Sequence, residues 1–98
     1  MTANQPMSLP VEIWPIELQQ RWQKCPSTWS PSTKKQTRLE VGRLFRFLRD
    51  NSRELTEVDA DQIDVYLTLR STHLRPKSAS LAARRLFDAL TVLFPDRQ

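Results

Sequence analysis

The chain contains very little of three residue types, with one glycine, one cysteine and one histidine among its 98 residues. A phosphate-binding glycine loop needs more than one glycine, a disulfide bond needs a pair of cysteines, and a structural zinc ion needs several cysteine or histidine ligands. These three kinds of site are therefore excluded within this sequence. We expect neither a metal nor a cofactor.

Long apolar runs are also missing, because no uninterrupted hydrophobic stretch exceeds three residues. A transmembrane helix needs about 20 predominantly apolar residues. The first ten residues, MTANQPMSLP, lack the basic and apolar segments of a signal peptide. We therefore predict no membrane contact and a cytoplasmic location. The length of the chain suits one domain with a single modest core.

Apolar residues recur at helical spacing in four segments, and no segment shows the two-residue alternation of a strand. The predicted helices span residues 15–24, 31–51, 59–70 and 79–94. The predicted fold class is all-α, as a small four-helix bundle. We expect residues 1–14 to form a flexible N-terminal segment and residues 15–95 to form the domain.

Local signals indicate where three of these helices begin. Ser30 offers an N-cap oxygen, and Pro31 suits the first helical position. Asp59 and Gln62 have the spacing of a capping box at the start of the third helix. For the fourth helix, Ser78 or Ser80 is the expected N-cap.

The formal net charge is only +4, but the charges are unevenly distributed along the chain. Residues 30–53 hold seven basic and two acidic residues, and residues 70–87 hold five basic residues and no acidic one. Residues 54–69 lie between them and hold five acidic residues and no basic one. Two basic helices therefore flank an acidic helix, and this pattern favours contact with nucleic acid over simple solvation.

The basic residues of the long second helix follow a helical repeat. Five of them lie in one stripe: Lys35, Arg38, Arg46, Arg49 and Arg53. Gly42 occupies the gap in this stripe. There it either allows close approach of a phosphate backbone or only weakens the helix, and the sequence leaves both interpretations open.

No group of residues has the pattern of a catalytic site. His73 lies in a polar segment without a partner for acid–base catalysis, and Cys25 ends an apolar stripe. Tyr66 falls on the inward face of the third helix and is predicted to belong to the core. We therefore expect a protein that is not an enzyme on its own and has no small-molecule substrate.

Several segments, taken in order, resemble a known family. They are Trp29-Ser30-Pro31-Ser32-Thr33, then Leu55-Thr-Glu-Val58-Asp-Ala-Asp61-Gln-Ile63-Asp-Val-Tyr66-Leu67, then Leu74-Arg-Pro76-Lys-Ser78, and finally Arg84-Arg85-Leu86. The succession resembles the core-binding domain of tyrosine recombinases, the SAM-like N-terminal domain of phage integrases. Thr37 departs from the pattern, because the family often has a tyrosine there.

The resemblance implies a SAM-like four-helix bundle that forms half of a clamp around double-stranded DNA. It implies that the second and fourth helices approach the major groove, and that the module takes part in DNA integration or recombination beside other recombinase protomers. The catalytic domain of the family, with its tyrosine nucleophile, is expected to be absent from this chain.

The predicted DNA contacts lie near the starts of the second and fourth helices, where most of them would meet phosphates. These candidates are Lys34, Lys35, Arg38, Arg75, Lys77, Ser78, Ser80, Arg84 and Arg85. Two alternatives stay open. One is a stand-alone DNA-binding accessory protein, and the other is a helical protein–protein interaction module that uses the acidic third helix or the Phe87 and Phe94 side chains.

Overall fold

The computed structural model describes residues 7 to 95 of the chain. Within that range it contains the α-helices α1 (Ile16–Trp22), α2 (Pro31–Asp50), α3 (Ala60–Ser71) and α4 (Pro76–Leu93). Two 3₁₀ turns, Val11–Ile13 and Leu55–Glu57, precede α1 and α3, and residues 7 to 95 contain no β-strand. The predicted all-α four-helix bundle is confirmed.

Helix α4 organises the bundle, because it contacts α1, α2 and α3 and makes its most extensive contact with α2. Leu86 and Leu93 of α4 are fully buried, as are Leu44 and Leu48 of α2. These aliphatic side chains belong to one continuous core, which also takes in side chains of α1 and α3. Burial of each such side chain contributes about 1.5–3 kcal/mol.

The predicted starts of α2 and α3 are confirmed in detail. The backbone N–H of Thr33 donates to Ser30 Oγ at 3.1 Å, and Pro31 occupies the first turn of α2. At α3, the Gln62 N–H donates to Asp59 Oδ1 at 2.9 Å, while the Asp59 N–H donates to Gln62 Oε1 at 3.0 Å. These bonds satisfy amides that the helix itself leaves unpaired.

The predicted start of the fourth helix is wrong. Helix α4 begins at Pro76, so Ser78 and Ser80 lie inside it and neither is the N-cap. Arg75 holds the N-cap position in an extended conformation and gives no side-chain cap. Proline favours this arrangement because its φ angle suits the first helical position, whereas the residue before it is driven out of the helical region. The helix also ends one residue early, at Leu93.

The N-terminal segment packs against the bundle, in contrast to the expected flexible segment up to residue 14. Leu9 is buried, and its backbone N–H donates to the carbonyl oxygen of Gly42 at 3.0 Å. The indole N–H of the buried Trp14 donates to the carbonyl oxygen of Leu9, also at 3.0 Å. Leu9 and Trp14 therefore belong to the core and hold residues 9 to 14 against the bundle, while residues 1 to 6 lie outside the described part of the chain.

Gly42 is the point on α2 where the N-terminal segment crosses. A Cβ atom added to Gly42 would lie 2.1 Å from Ser8 Oγ and 2.7 Å from the Leu9 carbonyl oxygen, which are impossible separations. The glycine is therefore required by the chain's own packing. Both interpretations drawn from the sequence are wrong, because Gly42 is buried and the N-terminal segment covers it.

The substitution Gly42→Ala is expected to lower the free energy of unfolding by about 1–3 kcal/mol, because the added methyl group forces the Leu9 backbone away from α2. At an open helical position the same change would instead raise stability by about 0.5–1 kcal/mol. Urea denaturation measures the difference. In a chain that starts at residue 10 the clash is gone, so there Gly42→Ala should stabilise; destabilisation in both chains would contradict this explanation.

Candidate nucleic-acid interface

Three of the candidate residues lie in the first half of α2. Lys34 and Lys35 are exposed, and Arg38 is half-buried. The helical repeat places all three within an arc of about 100° of the helix surface. The structure therefore brings these three basic side chains together on one side of α2.

The other six candidates belong to α4 and do not share a single face. Arg75 is the N-cap residue, and the remainder are Lys77, Ser78, Ser80, Arg84 and Arg85, of which only Arg85 is half-buried and the rest exposed. The helical repeat groups Lys77, Ser80 and Arg84 on one side, with Ser78 and Arg85 about 100° around the helix. The α4 candidates are thus spread over a wider arc than those of α2, of about 160° of the helix surface.

The basic candidates share a lack of acidic partners. None of the seven candidate Lys and Arg side chains forms an ion pair with another of residues 7 to 95. By contrast, Arg21, Arg43, Arg46 and Arg70 each lie within 4.0 Å of a carboxylate oxygen. The fold uses these four arginines for its own ion pairs and leaves the candidate residues available to an external anion.

The basic stripe predicted along α2 is interrupted in two ways. Gly42, at its centre, is covered by Ser8 and Leu9. Arg46 donates from Nε to both carboxylate oxygens of Asp50 at 3.1 Å, so a neighbouring carboxylate partly balances its charge. The part of the stripe that belongs to the candidate set is its N-terminal end, at Lys35 and Arg38.

A buried group of charged residues between α2 and α3 was not foreseen from the sequence. Glu40 is 2% exposed, and Arg70 is 6% exposed. Arg70 Nε lies 3.1 Å from Glu40 Oε2, Arg43 Nη1 lies 3.2 Å from Glu40 Oε1, and the Tyr66 hydroxyl donates to Glu40 Oε2. Arg70 therefore links two helices and is not part of the basic surface.

Tyr66 is in the core, as predicted, and its environment keeps it protonated. Burial of the phenol and the adjacent Glu40 carboxylate raise the pKa of Tyr66 far above its usual value. Its hydroxyl therefore remains a hydrogen-bond donor, which the Glu40 carboxylate needs as an acceptor. A phenol held in this way has a structural role.

The acidic segment between the basic helices is also exposed and unpaired. Its five carboxylates belong to Glu54, Glu57, Asp59, Asp61 and Asp64, and all five residues are exposed. None forms an ion pair with a basic side chain of residues 7 to 95. The protein surface thus keeps both a basic region and an acidic region.

Comparison with known proteins does not assign a family to this chain. The chain has no significant match among protein-family models, curated proteins or solved structures. In the described part of the chain, no group of three or more His, Cys, Asp or Glu residues is arranged to hold a metal ion. None of the helices within residues 7 to 95 combines the length and apolar character needed to span a membrane.

Proposed function

We propose that this chain is a DNA-binding module that contacts double-stranded DNA through basic side chains of α2 and α4. The observation that carries the proposal is the set of seven candidate Lys and Arg residues, none of which forms an ion pair within residues 7 to 95, whereas Arg21, Arg43, Arg46 and Arg70 are each paired with a carboxylate. Unpaired cations gain free energy when they replace the counterions of phosphates.

Two further features support phosphate contact. Helices α2 and α4 pack against each other, so their basic residues are carried on one rigid pair of helices. At the start of α4, Arg75 leaves the first-turn amides without a side-chain cap, and Lys77 lies in that turn. Amides at a helix N-terminus together with nearby cations favour a bound phosphate group.

The resemblance to recombinase core-binding domains extends the proposal from binding to biological role. On this proposal the chain is the DNA-binding part of a tyrosine-type site-specific recombinase or integrase, and it acts in the cytoplasm. It would hold duplex DNA while the cutting and joining of strands is done by residues outside this sequence. Binding through phosphates positions a protein on DNA without reading its base sequence.

The proposal is tested by a titration of a duplex of about 25 base pairs, followed by fluorescence anisotropy at low and moderate salt. We expect a dissociation constant in the range of about 1–100 μM and a steep loss of affinity with salt, as in other non-specific complexes. The double substitution Lys35→Glu and Arg38→Glu should weaken binding by about tenfold or more and reduce the salt dependence.

The matched control reverses two other exposed basic residues, Lys24→Glu and Arg53→Glu, and so changes the net charge by the same amount. Neither residue belongs to the candidate set, and Arg53, which the sequence placed in the basic stripe, lies beyond the end of α2 at Asp50. We expect this control to change the affinity by less than about threefold, through the general field of the protein alone. Equal losses in the two double variants, or no binding at low salt, would rule out the proposed surface.

A further inference from the structure

An apolar groove lies between the start of α3 and the end of α4. Its volume is about 380 Å³. Its apolar walls are formed by Val58, Ile63, Phe87, Leu90 and Phe94. Phe87 is 49% exposed, although it faces this groove together with buried Phe94. Large apolar side chains left open in this way are typical of a contact surface.

Acidic residues border the groove on the α3 side. Asp59 lines it directly. Asp64 is exposed and lies one turn after Ala60, another lining residue, so the helical repeat places it beside the groove. Since neither carboxylate forms an ion pair with a basic side chain of residues 7 to 95, an occupant with basic residues around an apolar centre would fit both the walls and the rim.

The same chain carries a surface of that kind on the first half of α4. Leu81 is 44% exposed. Lys77 lies one turn before Leu81, and Arg84 and Arg85 lie one turn after it, so three cations surround one exposed aliphatic side chain. None of these cations has an acidic partner within the described part of the chain. We refer to these four residues as the Leu81 face.

We propose that a second copy of this chain docks its Leu81 face into the apolar groove between α3 and α4. Leu81 would enter between the apolar walls, and its neighbouring cations would meet carboxylates at the rim. Because the groove and the Leu81 face are different surfaces, the contact is between unlike patches of two identical chains. Its ionic part is exposed to solvent, so the association should weaken as salt is added.

A consequence of this arrangement is competition with DNA, and this part rests on the proposed function. Lys77, Arg84 and Arg85 belong both to the Leu81 face and to the candidate DNA contacts. A copy whose Leu81 face is docked cannot use these residues on phosphates. Self-association would therefore reduce the number of molecules ready to bind DNA, and DNA would in turn dissociate the self-associated form.

Sedimentation velocity over a range of protein concentrations at low salt, without DNA, tests the docking itself. We expect the average mass to rise with concentration for the unmodified chain, and Leu81→Ser and Phe87→Ser each to remain monomeric. Asp64→Lys is a second groove variant, because it reverses a charge at the rim and leaves the apolar walls of the groove intact. The matched control is Ile16→Ser, because Ile16 is 66% exposed and lies on neither surface; it should associate like the unmodified chain.

A mixture of the two serine variants gives the sharper result. Leu81→Ser keeps an intact groove and Phe87→Ser keeps an intact Leu81 face, so one contact between unlike variants remains possible. We expect equal amounts of the two to form a dimer that neither forms alone. A chain that stays monomeric at every concentration, or a mixture that stays monomeric while the unmodified chain associates, would overturn the proposal.

Adding the duplex to the associated protein separates this inference from the proposed function. Dissociation into monomers bound to DNA supports both. If DNA binds without changing the protein's self-association, the shared use of the Leu81 face is wrong. If no DNA binds while the two serine variants still complement each other, the docking stands and the proposed DNA-binding function fails.

Discussion

Replacing Glu40 with glutamine is expected to lower the free energy of unfolding by about 3–5 kcal/mol, even though glutamine has nearly the same shape. Glu40 and Arg70 are both buried, so the substitution removes the negative charge that faces the Arg70 guanidinium in a largely desolvated place. Arg43 and the Tyr66 hydroxyl also lose their charged acceptor. Chemical denaturation followed by circular dichroism measures the loss.

Three comparison variants show whether the missing charge is the cause. Glu17→Gln alters an exposed acid whose ion pair with Arg21 is 3.9 Å long, and its effect should stay within about 0.5 kcal/mol. Tyr66→Phe removes one hydrogen bond and should cost about 1–2 kcal/mol. The double variant Glu40→Leu and Arg70→Met should recover much of the lost stability, because it removes both buried charges. A Glu40→Gln effect no larger than that of Glu17→Gln would contradict the explanation.

The pairing of Glu40 with Arg70 could not be predicted because it joins residues that are 30 positions apart in the sequence. In the sequence, each residue counts only toward the charge balance of its own segment, as a surface residue would. One signal was present, since Arg70 follows Tyr66 at helical spacing on the face predicted to point inward. An arginine on an inward face requires a buried acid, and Glu40 is the acid that meets this need.

Sequence separation also decides which local features could be predicted. The caps at Ser30 and Asp59 involve residues only three positions apart, so the sequence contains all the partners. The crossing at Gly42 depends on Leu9, which is far away in sequence. At α4, Pro76 takes the first helical position and drives Arg75 into an extended conformation, so the capping role that residue type predicts for Ser78 or Ser80 is not needed.

The structure also sharpens the charge pattern that led to the proposed function. The unpaired basic residues of α2 and α4 remain, whereas Arg43, Arg46 and Arg70 are committed to carboxylates of the fold. The acidic segment at the start of α3 keeps its unpaired carboxylates. The basic region is thus smaller than its residue total suggests, while the acidic region keeps all five of its carboxylates free of ion pairs within residues 7 to 95.

The substitution Trp14→Ala is expected to lower the free energy of unfolding by about 3–5 kcal/mol, the usual cost of truncating a large buried aromatic residue. Trp14 meets Phe45 edge to face with ring centres 5.0 Å apart, and meets Trp22 with ring centres 5.9 Å apart. Its indole N–H also holds the Leu9 carbonyl oxygen. One side chain therefore joins the N-terminal segment, α1 and α2, and its loss should be visible by urea denaturation.

Two further substitutions separate the parts of this effect. Trp14→Phe keeps an aromatic ring in the core but removes the bond to Leu9, so it should cost less, about 1–2 kcal/mol. Trp29→Ala removes a half-buried ring whose centre lies 6.1 Å from the ring centre of Trp22. This change should also cost less than Trp14→Ala. If Trp14→Ala were no more harmful than Trp29→Ala, the N-terminal segment would not be held by the core. Gly42 would then also be uncovered, because the same segment covers that glycine, and the basic stripe of α2 would not be interrupted there.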